Sequence, residues 1–116
     1  MVVLKRILCY GDSNTWGFMG ESGERFDEQT RWPCLLEQLT GYKVIEEGLN
    51  GRTTVFHDAL MPYANGMDYL PACLLTHNPV DLVIFNLGTN DLKRHVCNNI
   101  GATGQGMAML IQKTRE

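Results

Sequence analysis

The chain has 116 residues, 44% of them hydrophobic and 20% charged, which suffices for one domain with one hydrophobic core. A formal net charge of −3 and a pI near 5.5 exclude an electrostatic nucleic-acid binder, because no basic face is available to neutralise phosphates. Four widely spaced cysteines, Cys9, Cys34, Cys73 and Cys97, form no C-x-x-C pair, which argues against a zinc knuckle or a thioredoxin-like motif and favours free thiols.

The N-terminal apolar run is too short for a signal-peptide core or a membrane span, so the expected compartment is the cytoplasm, with no membrane partner. Leu4–Tyr10 reads as a buried strand, and Gly11-Asp12-Ser13-Asn14 as the turn that leaves it. Gly20–Glu24 is a polar loop. The spacing of Trp32, Leu35, Leu36 and Leu39 predicts a helix over Thr30–Leu39, capped by Thr30, with Pro33 in its first turn and Gly41 beyond its end. Tyr42–Glu46 is a second strand, and 55–64 an irregular stretch. Asp68–His77 is a second helix, with Leu70, Leu74 and Leu75 on one side. Asp81–Leu87, continuous and β-branched or aromatic at its centre, is a third strand of the kind covered on both faces. Asn99–Lys113 is a third helix, weakened at its start by Gly101, Gly104 and Gly106.

Strands alternating with helices predict an α/β fold, a flavodoxin-like doubly wound parallel sheet in three α/β/α layers, over a single domain of residues 1–116. In such sheets ligands bind at the carboxyl ends of the strands. Three groups suited to acyl chemistry fall at successive strand ends. Ser13 follows the first, and its hydroxyl is lifted out of the sheet by the turn, with a following helix offering its N-terminal end to negative charge. Gly51 follows the second, where a missing side chain admits a substrate. Asn90 follows the third and carries a side-chain amide. A serine nucleophile needs donors aimed at the developing oxyanion, and each donor lost costs ~100- to 1,000-fold in rate. The N–H of Ser13, the N–H of Gly51 and the amide of Asn90 are candidates.

The blocks Gly11-Asp12-Ser13, Gly48-Leu49-Asn50-Gly51-Arg52-Thr53-Thr54 and Gly88-Thr89-Asn90-Asp91 resemble the first three signature blocks of the SGNH hydrolases, or GDSL-type esterases. The flanking Arg31-Trp32, Val44-Ile45-Glu46-Glu47-Gly48 and Tyr69-Leu70-Pro71 are similar to the bacterial arylesterase and acyltransferase branch. The resemblance implies a hydrolase of short acyl or aryl esters. In it Ser13 is the nucleophile, Ser13, Gly51 and Asn90 form the oxyanion hole, and Asp12 and Asp91 fix the loops by hydrogen bonds. It implies a small-molecule ester substrate and neither metal nor cofactor.

The family's fourth signature, Asp-x-x-His, which supplies the general base, occurs nowhere in the sequence. By the resemblance the chain corresponds to the N-terminal half of such a hydrolase, ending after the third strand and its helix, and impaired activity is expected. A bare edge on the third strand is expected to favour self-association. His57, His77 and His95 are expected to be exposed or satisfied by neighbours rather than to replace the base. Two alternatives remain open: a non-catalytic remnant that binds acyl ligands or partners, and a flavodoxin-like phosphate or cofactor binder. The second leaves Gly51 and Asn90 unexplained.

Overall fold

A computed structural model describes residues 5–116; Leu4, expected at the start of the first strand, lies outside the described residues. The chain divides into two compact units, each discontinuous in sequence. One comprises the residues up to Asn50 together with Pro79–Asn86, the other Gly51–Asn78 together with Leu87–Glu116.

The first unit holds a three-stranded parallel sheet of β1 (Arg6–Gly11), β2 (Lys43–Gly48) and β3 (Leu82–Asn86), in the order β2-β1-β3. The sheet and the α/β class are those expected from the sequence. β1 lies in the middle, which is why its apolar run is continuous: Leu8, Cys9 and Tyr10 are fully buried. Ile7 pairs with Val44 on one side and Leu82 on the other, and at the far end Gly11 pairs with Gly48 and Asn86. Tyr10 meets Phe85 of the neighbouring strand edge to face, with ring centroids 5.8 Å apart.

Ile7, Cys9 and Val44 form the core of this unit, and Trp32, Leu36 and Ile84 pack against them. Ile7 and Cys9, two residues apart, share one face of β1. Trp32 and Leu36, one turn apart, bring α2 (Trp32–Thr40) onto the same cluster. The rest of the expected stripe does not pack inward: Leu35 is 38% exposed and Leu39 86%. Thr30 does not cap this helix. Its hydroxyl donates to Asp27 Oδ1 at 2.9 Å, and Arg31 occupies the cap position without a side-chain capping bond. Pro33 sits in the first turn, where a missing N–H has no cost, and Gly41 closes the helix at φ +73°.

The second unit contains α3 (Gly66–His77), a 3₁₀ turn (Thr89–Leu92) and α4 (Ile100–Thr114); α1 is the single turn Ser13–Trp16 in the first unit. α3 begins two residues before its expected start, because Asn65 caps it by accepting the Met67 N–H at 3.0 Å. Leu70 and Cys73 of α3 and Leu110 of α4 are fully buried, and the two helices pack together. Leu75, expected beside Leu70, is 78% exposed. α4 starts one residue after its expected start, because Asn99 caps it by accepting the Ala102 N–H. Gly106 in that helix is a close-packing position rather than a weak spot: a Cβ there would run into the Thr54 hydroxyl and lie 3.2 Å from Val55 Cγ2. All four cysteines are free thiols, with Cys9 and Cys73 buried. Burial, then the nearby Glu46 carboxylate, pushes the Cys9 thiol up to about 12. Among the described residues no helix is long and apolar enough to cross a membrane.

Candidate active site

Ser13 stands at the carboxyl end of β1, as its position after the apolar run requires. Asp12, 2% exposed, caps α1 with its Oδ1 accepting the Asn14 N–H at 3.1 Å, so its carboxylate shapes the turn that presents Ser13. The Ser13 carbonyl accepts from both Gly17 and Phe18, each at 2.9 Å. Ser13 is half-buried, and its hydroxyl takes up no hydrogen bond among the described residues of its unit. Its N–H occupies the first helical position, which has no intrahelical acceptor. α1 is only one turn long, so the dipole expected behind Ser13 shrinks to the local peptide groups.

Two glycines bring that turn down onto the sheet. A Cβ on Gly48 would lie 2.7 Å from the Cα of Trp16, and one on Gly11 would lie 2.7 Å from Thr15 Cβ and 2.9 Å from the Asn86 carbonyl. Gly11 and Gly48 are partners in the ladder, so the ends of β1 and β2 together form a flat seat for α1. The far end of α1 is gripped by arginines. Arg25 Nε donates to the Trp16 carbonyl at 2.7 Å, and its guanidinium lies 4.9 Å from the centre of the Trp16 ring. Arg31 packs its stem on Gly17 and forks onto Glu46, Nε to Oε1 at 2.9 Å and Nη2 to Oε2 at 3.3 Å. The Arg31 hydrogen bond prevails over burial and holds the Glu46 carboxyl below its ordinary value.

Gly51, Asn90 and Asp91 belong to the second unit. Gly51 adopts φ +87°, a conformation that favours glycine, and the Met61 thioether fills the space its Cβ would need, with Sδ 2.6 Å from that point. The Gly51 N–H donates to no acceptor within the unit. Asn90 lies in the 3₁₀ turn and is half-buried; its Nδ2 donates to the Arg52 carbonyl at 3.1 Å. A carboxamide carries two N–H bonds, so one fixes the side chain beside Gly51-Arg52 and the other stays uncommitted within the unit. Asp91 is fully buried. Its Oδ1 accepts the Thr54 N–H at 2.8 Å and its Oδ2 the Thr54 hydroxyl at 2.6 Å, while its carbonyl accepts from Cys97 and Asn98. Asp91 thereby laces the loop after Gly51 to the loop carrying Asn90.

The histidines divide. His57 is exposed and His77 lies in the last turn of α3. His95, with 42% of its side chain exposed, places Nε2 2.9 Å from Oδ1 of Asp58, a buried carboxylate. Sequence reasoning singled out neither Asp58 nor its second partner, Lys93, because the partners lie 37 and 35 residues away along the chain.

Residues 9–116 match the profile of the GDSL-like lipase/acylhydrolase family. Among solved structures the chain is similar to a carbohydrate acetylesterase family member from Sinorhizobium meliloti, with 40% identity and a TM-score of 0.93 over 97% of this chain and 55% of that one. It is also similar to the inhibitor-bound aryl esterase of M. smegmatis, with 46% identity and a TM-score of 0.88 over 93% of this chain and 53% of that one. The SGNH-hydrolase family esterase AlinE4, 22% identical with a TM-score of 0.74 over 99% of this chain and 55% of that one, shares the fold. The chain thus spans about half the length of these structures. No curated protein matches it. A serine turn after the first parallel strand, a positive-φ glycine after the second and an asparagine after the third accompany a profile match that runs from Cys9 to the last residue, and the chain belongs to the GDSL-like lipase/acylhydrolase family.

Proposed function

We propose that this chain supplies the nucleophile and the oxyanion donors of a serine ester hydrolase acting on short-chain acyl or aryl esters. Ser13 Oγ attacks the ester carbonyl carbon, and the carbonyl π electrons move onto oxygen as the new C–O bond forms. The N–H groups of Ser13 and Gly51 and the second Nδ2–H of Asn90 stabilise that oxyanion. Collapse expels the alcohol, which takes up the proton lost by Ser13, and water then cleaves the acyl-enzyme. The observation that carries the reading is the set of three N–H groups with no acceptor inside their own units, at the three motif positions of the family. Asp12 and Asp91 support the turns that bear them. The esterase neighbours favour an ester substrate.

The proton that Ser13 gives up needs a base, and the sequence contains no Asp-x-x-His. The 116-residue chain is therefore expected to turn over esters poorly. A second reading, an acyl-binding module without turnover, is favoured by that same feature. Ethyl p-nitrophenyl phosphonate separates the two. A positioned Ser13 displaces p-nitrophenolate and gains one phosphonyl group by intact mass, and Ser13→Ala does not. Failure of the native chain to label at Ser13, with the folded state verified, refutes the nucleophile assignment.

A further inference from the structure

Besides Asp91, a second buried carboxylate joins the loop after Gly51 to the segment after Asn90. Asp58 is 1% exposed. Its Oδ1 accepts the Leu60 N–H at 2.9 Å and faces His95 Nε2 at 2.9 Å, and its Oδ2 faces Lys93 Nζ at 3.5 Å. Burial would raise this carboxyl; the Leu60 N–H, the His95 ring and the Lys93 charge outweigh it and keep the group below its ordinary value. A buried charge is costly unless paired and hydrogen-bonded, and this one is paired twice.

The partners lead directly to the proposed donors. Lys93 follows the 3₁₀ turn that carries Asn90, and its N–H returns to the Asn90 carbonyl at 3.4 Å. Its Nζ lies 3.8 Å from Met61 Sδ and 4.0 Å from the point a Cβ would occupy on Gly51. Met61 covers Gly51, and its N–H is itself held by the Asp58 carbonyl at 3.0 Å. Asp58 thus fixes Met61 through its backbone and Lys93 through its side chain, and the two converge on Gly51.

We infer that Asp58 is a positioning residue of the oxyanion site, which sets the Gly51 N–H relative to the Asn90 amide through Lys93, His95 and Met61. The inference rests on the reading of Gly51 and Asn90 as oxyanion donors. Displacements near 1 Å at such donors cost about 100-fold in rate, so a buried clamp one residue removed from them has leverage.

The test uses the 116-residue chain and its Asp58→Asn, Lys93→Met and His95→Gln variants, with two independent readouts. The first is NMR of the Gly51 amide and the Asn90 carboxamide at neutral pH. His95→Gln, which keeps a donor to Asp58, is expected to leave both signals near their native positions. Asp58→Asn is expected to shift both, whereas a merely structural role would lower the melting temperature and leave them in place. The second readout is the rate of phosphonyl labelling at Ser13, expected to fall about 10- to 100-fold in Asp58→Asn. Native Gly51 and Asn90 signals in a folded Asp58→Asn overturn the inference. If Asp58→Asn does not fold, Lys93→Met decides by the same signals. If the native chain labels but Asp58→Asn labels equally fast, the inference fails while the esterase reading stands. If the native chain does not label, the esterase reading fails and the NMR signals alone decide whether Asp58 sets the two groups.

Discussion

Alanine at two glycines of α4 should move stability in opposite directions. A methyl added at Gly104 would meet no atom within 4 Å, so Gly104→Ala gains only helix propensity, about 1 kcal/mol. Gly106→Ala gains the same propensity, but its methyl enters contact with the Thr54 hydroxyl and comes within 3.1 Å of Thr54 Cβ. That hydroxyl is no flexible tip: it donates to the buried Asp91 at 2.6 Å. Either the helix shifts, at an overpacking cost of about 1–3 kcal/mol, or the hydroxyl swings away and Asp91 loses a charge-assisted bond of about 1.5–3 kcal/mol. After the propensity gain, Gly106→Ala should be destabilised by up to about 2 kcal/mol and melt up to roughly 8 °C lower. Gly104→Ala should melt about 4 °C higher. Circular-dichroism melts of the three proteins, with urea curves to check that the slope is unchanged, measure both. A Gly106→Ala chain as stable as Gly104→Ala would refute the claim that Gly106 exists to seat Thr54.

Three further outcomes are expected. Thiol labelling of the native chain with iodoacetamide at pH 8 should modify Cys34 and Cys97 and spare Cys9 and Cys73 until the protein is unfolded, because Cys9 is buried with its thiol near 12. The Arg31–Glu46 fork lowers the Glu46 carboxyl, so its contribution is complete above the unfolded carboxylate value and is lost as pH falls through the folded one. Glu46→Gln should therefore cost about 1 kcal/mol at pH 7, partial exposure being allowed for, and progressively less as the pH is lowered below the ordinary carboxylate range, as urea titrations across that range would reveal. Among the described strands β3 has a neighbour on one side only, and Leu82 on it is 52% exposed. Light scattering behind size exclusion should find the isolated 116-residue chain self-associated, and a monodisperse monomer at 100 µM would dismiss that expectation.

Features written into local sequence were legible in advance. β1 announced itself because a central strand is apolar on both faces, and Gly41 because a left-handed cap favours glycine. The turns that carry Ser13, Gly51 and Asn90 were legible because each sits in a short block with its own turn chemistry. Features that depend on distant partners were not. Thr30 has the composition of a cap, yet Asp27 takes its hydroxyl three residues earlier. Gly106 looked like a weakness in a helix until Thr54, more than fifty residues back, explained it. Asp58 sits in a stretch without pattern, and only folding delivers Lys93 and His95 to it. The division into two units left no linker to read, since each unit is assembled from two separated stretches.

The paired glycines under α1 have a consequence for how this protein tolerates change. Where Ser13 stands depends on close packing at two glycines: the Thr15–Trp16 main chain rests on Gly48, and the Thr15 side chain rests on Gly11. Substitutions that repack Ile7, Val44 or Leu36 can alter the cluster below without lifting the hydroxyl above. The sheet can drift in sequence while Ser13 keeps its address. The vulnerability is concentrated in two atoms that are absent: a single methyl at either glycine would move the serine itself, without any loss of hydrophobic content.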